Sequence, residues 1–376
     1  MSVMKRIYFD NNATTAVSDE VLNAMLPFFS QYYGNPSSLY PFGSKAKNAI
    51  EQARLSISSL INARQNEIIL TSGGTESNCA AILSYTKAFP LKKHIICSPI
   101  EHYSIISLMH TLSKKGYTID YLPVNKNGTV DITALPDLIK SDTLLVIVML
   151  ANNETGVVND VQRIRDYFPP DQQICIHTDA VQAIGKMPVD ICSLKVDSLS
   201  LSGHKFHAPK GVGALFFSKE IPFVPLLTGH QEQERRGGTE NVPSVVGLGQ
   251  ASAETYRNLT TNIEKMQMLR DYFEKRISSF SEVLIIARDS PRLCNTTNFS
   301  VKGQDGTKLM FSLARKGICV STGSACNSED QDASYVLSAM GIHEDYIRSL
   351  RVSFNENNTY EEVDQFVDTL QKLIKY

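Results

Sequence analysis

Tryptophan is absent from this chain of 376 residues, acidic and basic side chains nearly cancel, and no apolar run approaches the length that spans a bilayer. Each shortage excludes something. With 37 Lys and Arg against 39 Asp and Glu the formal charge is -2, so there is no basic footprint for nucleic acid or an anionic membrane. The opening residues, Met1-Ser2-Val3-Met4-Lys5-Arg6-Ile7, lack an apolar signal region. The seven cysteines are odd in number and contain no Cys-x-x-Cys pair, which argues for reduced thiols and against a disulfide framework or a zinc knuckle. A cytoplasmic location is the expectation. No internal repeat or low-complexity segment is evident. Even without tryptophan, 42% apolar residues over this length are ample for a large core, and the length favours about two domains over one.

What is present is an alternation of helix-like and strand-like segments from about residue 18 to residue 217. Ala46, Ile50, Ala53, Ile57 and Ile61 recur at helical spacing, while Ile95-Ile96-Cys97, Leu144-Leu145-Val146-Ile147-Val148 and Gly213-Ala214-Leu215-Phe216-Phe217 are short apolar runs suited to buried strands. The pattern predicts an α/β fold. Residues 256–280 are polar and helical in spacing and carry the chain into a smaller α+β domain that holds Asn298-Phe299-Ser300-Val301 and Cys326. Near the end, Thr359-Tyr360-Glu361-Glu362 reads as a capping box, followed by Val363, Phe366, Leu370 and Ile374 on one helix face expected to pack on that domain.

Four stretches carry chemistry. In Ser202-Gly203-His204-Lys205-Phe206 an amine follows the apolar run 196–201, at the end of a predicted strand. Desolvation or a neighbouring cation would make it the nucleophile that a Schiff base needs, although a surface lysine in a turn is the plainer alternative. A second run, Gln173-Ile174-Cys175-Ile176-His177-Thr178, ends on Asp179, which a doubly wound sheet would place on the same edge as Lys205, with His177 and Gln182 flanking it. A pyridoxal phosphate (PLP) enzyme requires this pair: the lysine holds the aldehyde and the acid keeps the pyridine nitrogen protonated. Asp179 as a helix cap is the alternative. In Ile68-Ile69-Leu70-Thr71-Ser72-Gly73-Gly74-Thr75-Glu76, strand, glycine turn and helix follow one another. The N–H groups of Gly74 and Thr75 and the Thr75 hydroxyl can therefore converge on a phosphate, while the lack of a following Lys-Ser/Thr excludes a Walker loop. Lastly, Val320-Ser321-Thr322-Gly323-Ser324-Ala325-Cys326-Asn327-Ser328 sets one thiol among small polar residues, unlike Cys97, Cys175 or Cys319. An exposed thiolate beside a PLP pocket can attack the sulfur of a bound amino acid, whereas a buried cysteine merely packs.

These stretches, with Tyr8-Phe9-Asp10-Asn11-Asn12-Ala13-Thr14-Thr15, Gly34-Asn35-Pro36-Ser37-Ser38, Glu101-His102, Ala151-Asn152-Asn153-Glu154-Thr155-Gly156, Ala180-Val181-Gln182 and Arg236-Gly237-Gly238-Thr239-Glu240-Asn241, resemble the NifS/IscS-type cysteine desulfurases of the class-V aminotransferase family. The resemblance runs almost end to end, and the segment from Ser321 to Tyr335 resembles the long-loop class that hands sulfur to scaffold proteins. It implies the PLP-dependent transferase fold type I. A large PLP-binding domain, residues 15–257, would be built on a mixed, mostly parallel sheet, and a smaller α+β domain of residues 1–14 and 258–376 would carry the cysteine loop.

By the same resemblance Lys205, Cys326 and His102 would be catalytic, Lys205 as Schiff-base lysine and proton shuttle, His102 stacked on the cofactor ring as an acid/base near the substrate thiol. Asp179 would bind the pyridinium nitrogen, Asn153 and Gln182 the ring oxygen or substrate, and Gly74, Thr75, Ser202 and His204 the phosphate. Thr239 would reach the phosphate of a neighbouring subunit in a homodimer, and Arg351 would hold the substrate carboxylate, which a planar guanidinium matches bidentately. L-cysteine would leave as L-alanine, its sulfur held as a Cys326 persulfide for an iron-sulfur scaffold or another sulfur-acceptor protein. No intrinsic metal site is implied, with a transient persulfide-linked iron-sulfur contact at Cys326 left open.

Three positions depart from the family pattern. Tyr40 stands where histidine is common, residues 228–234 replace a glycine-richer segment, and residues 355–358 after Arg351 replace a glycine and a basic residue. The last two are expected toward partner surfaces. A selenocysteine lyase or an aminotransferase of the same fold would share Lys205 and Asp179 without needing Cys326, and a non-catalytic scaffold would need neither.

Overall fold

Short apolar runs become strands here because each is bounded by polar or turn residues and is buried on both faces. In the computed structural model, which describes residues 6–322 and 334–374, seven strands form one mixed sheet. Their order is Ile68–Thr71, Gly213–Phe217, Ser198–Ser202, Cys175–Asp179, Thr143–Ile147, His94–Cys97 and Thr118–Tyr121. All but the last, at the edge, are buried throughout. Neighbours run parallel except around Gly213–Phe217, which is antiparallel to both of its partners. The double reversal restores direction, so Ile68–Thr71 ends on the same edge as Ser198–Ser202, with Thr71 opposite Gly213 and Gly213 opposite Ser202. Only glycine fits at 213, where a Cβ would meet Leu201 O at 2.6 Å and Gly73 Cα at 2.7 Å.

Period-two alternation along these strands separates two apolar layers. Ile69, Ile95, Cys97, Leu215 and Phe217 join the helices Gly74–Ala88 and Tyr103–Lys114 on one face. Ile68, Leu70, Ile96, Ala214 and Phe216 join the helix Pro41–Leu60 on the other. The helical spacing read from Ala46, Ile50, Ala53 and Ile57 falls on that helix, and all four are buried.

A smaller C-terminal domain surrounds an antiparallel sheet ordered Ser321–Thr322, Leu350–Ser353, Thr296–Val301, Val283–Ile286. One helix, Val242–Ile277, serves both cores: Val245, Leu248 and Ala251 pack under the large sheet, while Leu269, Phe273 and Ile277 pack in the small one. Ile7–Tyr8 pairs with Ile318–Cys319 and Phe9 enters the small core. The capping box forms, with Thr359 N donating to Glu362 Oε2 and Glu362 N to Thr359 Oγ1, each at 3.3 Å. The helix it opens, Tyr360–Ile374, buries Val363, Phe366 and Leu370 against the small domain.

Both segments expected toward partner surfaces also make contacts within the chain. Glu232 is buried: its carboxylate meets Arg54 through two 2.7 Å contacts and accepts the Leu70 N–H at 2.9 Å. Glu232, Gln233 and Glu234 all take left-handed backbone, a conformation disfavoured for residues with a Cβ, and a buried bidentate pair offsets such a cost. Asn355 and Asn358 turn inward, donating to Asn11 Oδ1 at 3.0 Å and Tyr8 O at 3.2 Å. They hold down the N-terminal segment that reaches Lys205.

Candidate active site

The loops at the carboxyl edge of the large sheet converge, as open α/β sheets make ligand crevices there. Gly73 has φ +150 and turns the chain from its strand into the helix Gly74–Ala88. A Cβ at Gly74 would lie 2.8 Å from Val181 Cγ2 and 3.6 Å from Ser202 Cβ, so the helix start abuts the turn after Asp179 and the end of the Lys205 strand. Unpaired N–H groups and the positive end of the helix favour an anion at this place.

Lys205 closes a short turn, Gly203–Lys205, and its Nζ donates to Asn12 O at 2.5 Å and Ala13 O at 2.8 Å. Asn12 O also accepts Gln182 Nε2 at 3.0 Å. Burial, with Lys205 beside it, pushes His204 down to about 4, so its imidazole is neutral near pH 7. A second lysine, Lys186, donates to Gln182 O and Oε1, both at 3.2 Å, and burial together with the Lys205 charge pushes it down to about 7.

Asp179 ends its strand and is 4% exposed. Its Oδ1 accepts Val181 N at 2.9 Å and its Oδ2 accepts Asn78 Nδ2 at 2.8 Å. His102 caps the helix Tyr103–Lys114, with Nδ1 accepting Ser104 N at 3.2 Å. Glu101, fully buried next to it, accepts from Ser98 Oγ and Met149 N at 2.6 Å each, and burial pushes its carboxyl up to about 8.

Arg351 comes from the small domain. Its Nη2 lies 2.7 Å from Asp10 Oδ1, and its Nη1 donates to Asn153 O at 3.0 Å. Arg351 Nε and Asn153 Oδ1 are buried with no hydrogen-bond partner among the described residues, an arrangement that costs free energy unless a ligand satisfies them.

One cavity of about 330 Å³ collects these groups: Gly74 and Thr75 from one loop, His102, Asn153, Asp179 and Gln182 from three more, Ser202, His204 and Lys205 from another, and Arg351 across the domain boundary. The donor set fits PLP. A carboxylate faces in for a ring nitrogen, an amine for an aldehyde, and a helix start with Ser202 and neutral His204 for a phosphate. Asn12, Ala13, Asn78 and Met149 also line it. The sequence reading assigned these no role, nor did it pair Asp10 with Arg351. Asn12 lies inside a stretch quoted above and Asn78 two residues beyond another, but nothing local marks a carbonyl or an amide as a partner of a residue far along the chain.

One predicted site residue among those described is not in the cavity. Thr239 is exposed and does not line it. Cys326 lies outside the described residues. The described residues on either side are close to the site: Ser321 is the register partner of Arg351, Ser334 Oγ donates to Glu154 Oε2 at 2.5 Å, and Tyr335 OH donates to Glu101 O at 2.6 Å. Tyr40, 58% exposed, is not part of the cavity lining.

The family model for aminotransferase class-V matches residues 7–366. Cysteine desulfurase 2 of Trichormus variabilis is 42% identical over 375 residues, covering 99% of this chain and 94% of the relative. Cysteine desulfurase IscS of Methanosarcina thermophila is 41% identical over 374 residues, covering 99% and 92%. Among solved structures, a NifS-like protein superposes with a TM-score of 0.93 at 36% identity, over 99% of this chain and all of that one.

Proposed function

Because this chain belongs to the class-V aminotransferase family and is a PLP-dependent cysteine desulfurase, we propose that the cavity around Lys205 is where L-cysteine loses its sulfur. The observation that carries this is the convergence of the Lys205 amine, the Asp179 carboxylate and the Gly73-Gly74-Thr75 helix start on one space that Arg351 closes.

When bound, PLP supplies an electron sink that labilises bonds at the α-carbon of an amino acid. The chain's own residues do the rest. Lys205 would hold the cofactor's aldehyde, and its amine is the group that would move the proton at the substrate α-carbon. Asp179 keeps the ring-nitrogen proton in place. Gly74, Thr75, Ser202 and His204 hold the phosphate, and Gln182 and Asn153 the ring oxygen or substrate. Arg351 takes the substrate carboxylate on its Nε, which is buried with no hydrogen-bond partner among the described residues. His102 exchanges a proton with the substrate thiol.

The Cys326 thiolate attacks the substrate sulfur: an S–S bond forms, the C–S bond breaks, and its electron pair stays with carbon, which takes a proton. L-cysteine becomes L-alanine and Cys326 a persulfide. The position of Ser321 opposite Arg351 supports this role, since the segment containing Cys326 leaves from a strand at the site.

The persulfide is passed to an iron-sulfur scaffold or another sulfur acceptor. We read the protein as a homodimer. Exposed apolar side chains cluster between residues 22 and 42, among them Leu22, Leu26, Phe29, Tyr33 and Leu39, and exposed Thr239 would serve a neighbour's phosphate. A cytoplasmic location fits a reaction that needs reduced thiols; no helix among the described residues is long and apolar enough to cross a membrane. The division into residues 15–257 and residues 1–14 with 258–376 is supported by the helix Val242–Ile277, whose halves belong to different cores.

The test is Cys326→Ala. Given L-cysteine, the parent should yield alanine and protein-bound persulfide together, and the variant neither. Alanine formed at the parental rate without Cys326 would remove the sulfur-carrier role, and turnover of selenocysteine alone would favour a lyase.

A further inference from the structure

Behind Asp179 lies a run of buried polar side chains that none of these steps uses. Tyr85 OH donates to Ser198 Oγ at 2.9 Å, Ser198 Oγ lies 2.8 Å from His177 Nδ1, and His177 Nε2 lies 3.0 Å from Asn78 Oδ1. Asn78 Nδ2 then donates to Asp179 Oδ2 at 2.8 Å and to Ser104 Oγ at 3.1 Å, and Ser104 Oγ lies 2.8 Å from His102 Nδ1. Tyr85, Ser198 and His177 are 0% exposed and Asn78 is 1% exposed. Water is therefore kept from substituting for any of them.

The direction of every bond follows from its ends. The Asn78 atom facing Asp179 is the Nδ2 donor, which leaves Oδ1 toward His177. Oδ1 can only accept, so His177 carries its proton on Nε2. Burial holds that imidazole neutral, pushed down to about 3, so Nδ1 accepts from the Ser198 hydroxyl, whose oxygen accepts from Tyr85. On the other branch the Ser104 N–H donates to His102 Nδ1. That nitrogen is an acceptor, and the Ser104 hydroxyl, having accepted from Asn78, donates to it. All donors point from Tyr85 toward Asp179 and His102.

We propose that Asn78 and His177 are positioning residues: this one-way chain holds the Asp179 carboxylate and the His102 imidazole in fixed relation, so that the first can keep the ring nitrogen of PLP protonated while the second lies against the ring. The inference rests on the reading of the cavity as the PLP site. Asn78 is the junction, because a single amide serves both branches, and His177 sets which way that amide faces. A network that merely fills the core would stabilise the fold without affecting how the cofactor is held.

The experiment follows retention and visible spectrum of PLP in the purified holoenzyme across a dilution series, for the parent, Asn78→Leu, His177→Leu and His177→Gln, with circular dichroism as the check on folding. Asn78→Leu should weaken retention about tenfold or more, the scale of one lost charge-assisted hydrogen bond, and shift the visible spectrum. His177→Leu should move both in the same sense by less. His177→Gln, whose amide N–H can still donate to Asn78 Oδ1, should recover most of the parental behaviour. Parental retention and spectrum in Asn78→Leu would overturn the proposal. So would equal impairment in the two His177 variants at equal helix content, a comparison that stands even where Asn78→Leu fails to fold. A parent that stays colourless in excess PLP would instead sink the site reading on which the proposal rests.

Discussion

Replacing Arg351 by lysine separates its two duties. The guanidinium gives Nη2 to Asp10 and Nη1 to the Asn153 carbonyl, while Nε is buried without a partner among the described residues. A lysine ammonium can keep the pairing with Asp10, but it is a single point charge and cannot also present a second, fixed N–H to a substrate carboxylate. The loss is then one charge-assisted hydrogen bond, about 1.5–3 kcal/mol, which corresponds to about 10- to 160-fold. Since the carboxylate is bound equally in the ground and transition states, the effect should fall on KM with kcat nearly unchanged. The assay is alanine formation over a range of L-cysteine concentrations, with the visible PLP spectrum recorded beside it. An unchanged KM would mean that Asp10 and Asn153 already occupy the guanidinium fully and that the carboxylate is held elsewhere. Loss of the PLP spectrum would mean that Arg351 shapes the cofactor site instead of reading the substrate.

Two stability predictions accompany the functional ones. Glu232→Ala should cost about 3–5 kcal/mol in urea unfolding, because it strands a buried Arg54 and removes the acceptor of the Leu70 N–H; a cost below about 1 kcal/mol would show that the pair behaves as an exposed one. Glu101→Gln should flatten the fall of stability with rising pH. Burial raises the Glu101 carboxyl in the folded state, so the folded chain binds the extra proton and the parent loses stability between about 4.5 and about 8, whereas glutamine has no proton to lose. Unfolding free energies at several pH values across that window give the slope, and identical slopes in parent and variant would contradict the assignment.

Much of the site could be read from the sequence because strand ends are local features. Asp179 and Lys205 each follow a short apolar run, and Gly73-Gly74 follows another. Once an α/β sheet is inferred, residues at the carboxyl ends of its strands share an edge whatever the order of the strands. The inward contacts of Glu232, Asn355 and Asn358 are not legible in the sequence for the opposite reason. Polar residues in an irregular segment look solvated, and only the tertiary fold reveals that a carboxylate has a buried guanidinium to meet.

The sequence by itself determined the α/β alternation, the two-faced strands, the final capped helix and the residue types suited to PLP at the strand ends, since each depends on neighbours within a few positions. Tertiary structure alone decided that Lys205 rests on the Asn12 carbonyl 193 residues away, that Arg351 is shared with Asp10 across 341, and that His177 orients Asn78 across 99. These meetings follow from strand order, from the reversal at Gly213–Phe217 and from a helix common to both domains. Hydrogen bonds of a few ångströms between distant segments have no period in the chain, so they exist only once the layers have packed.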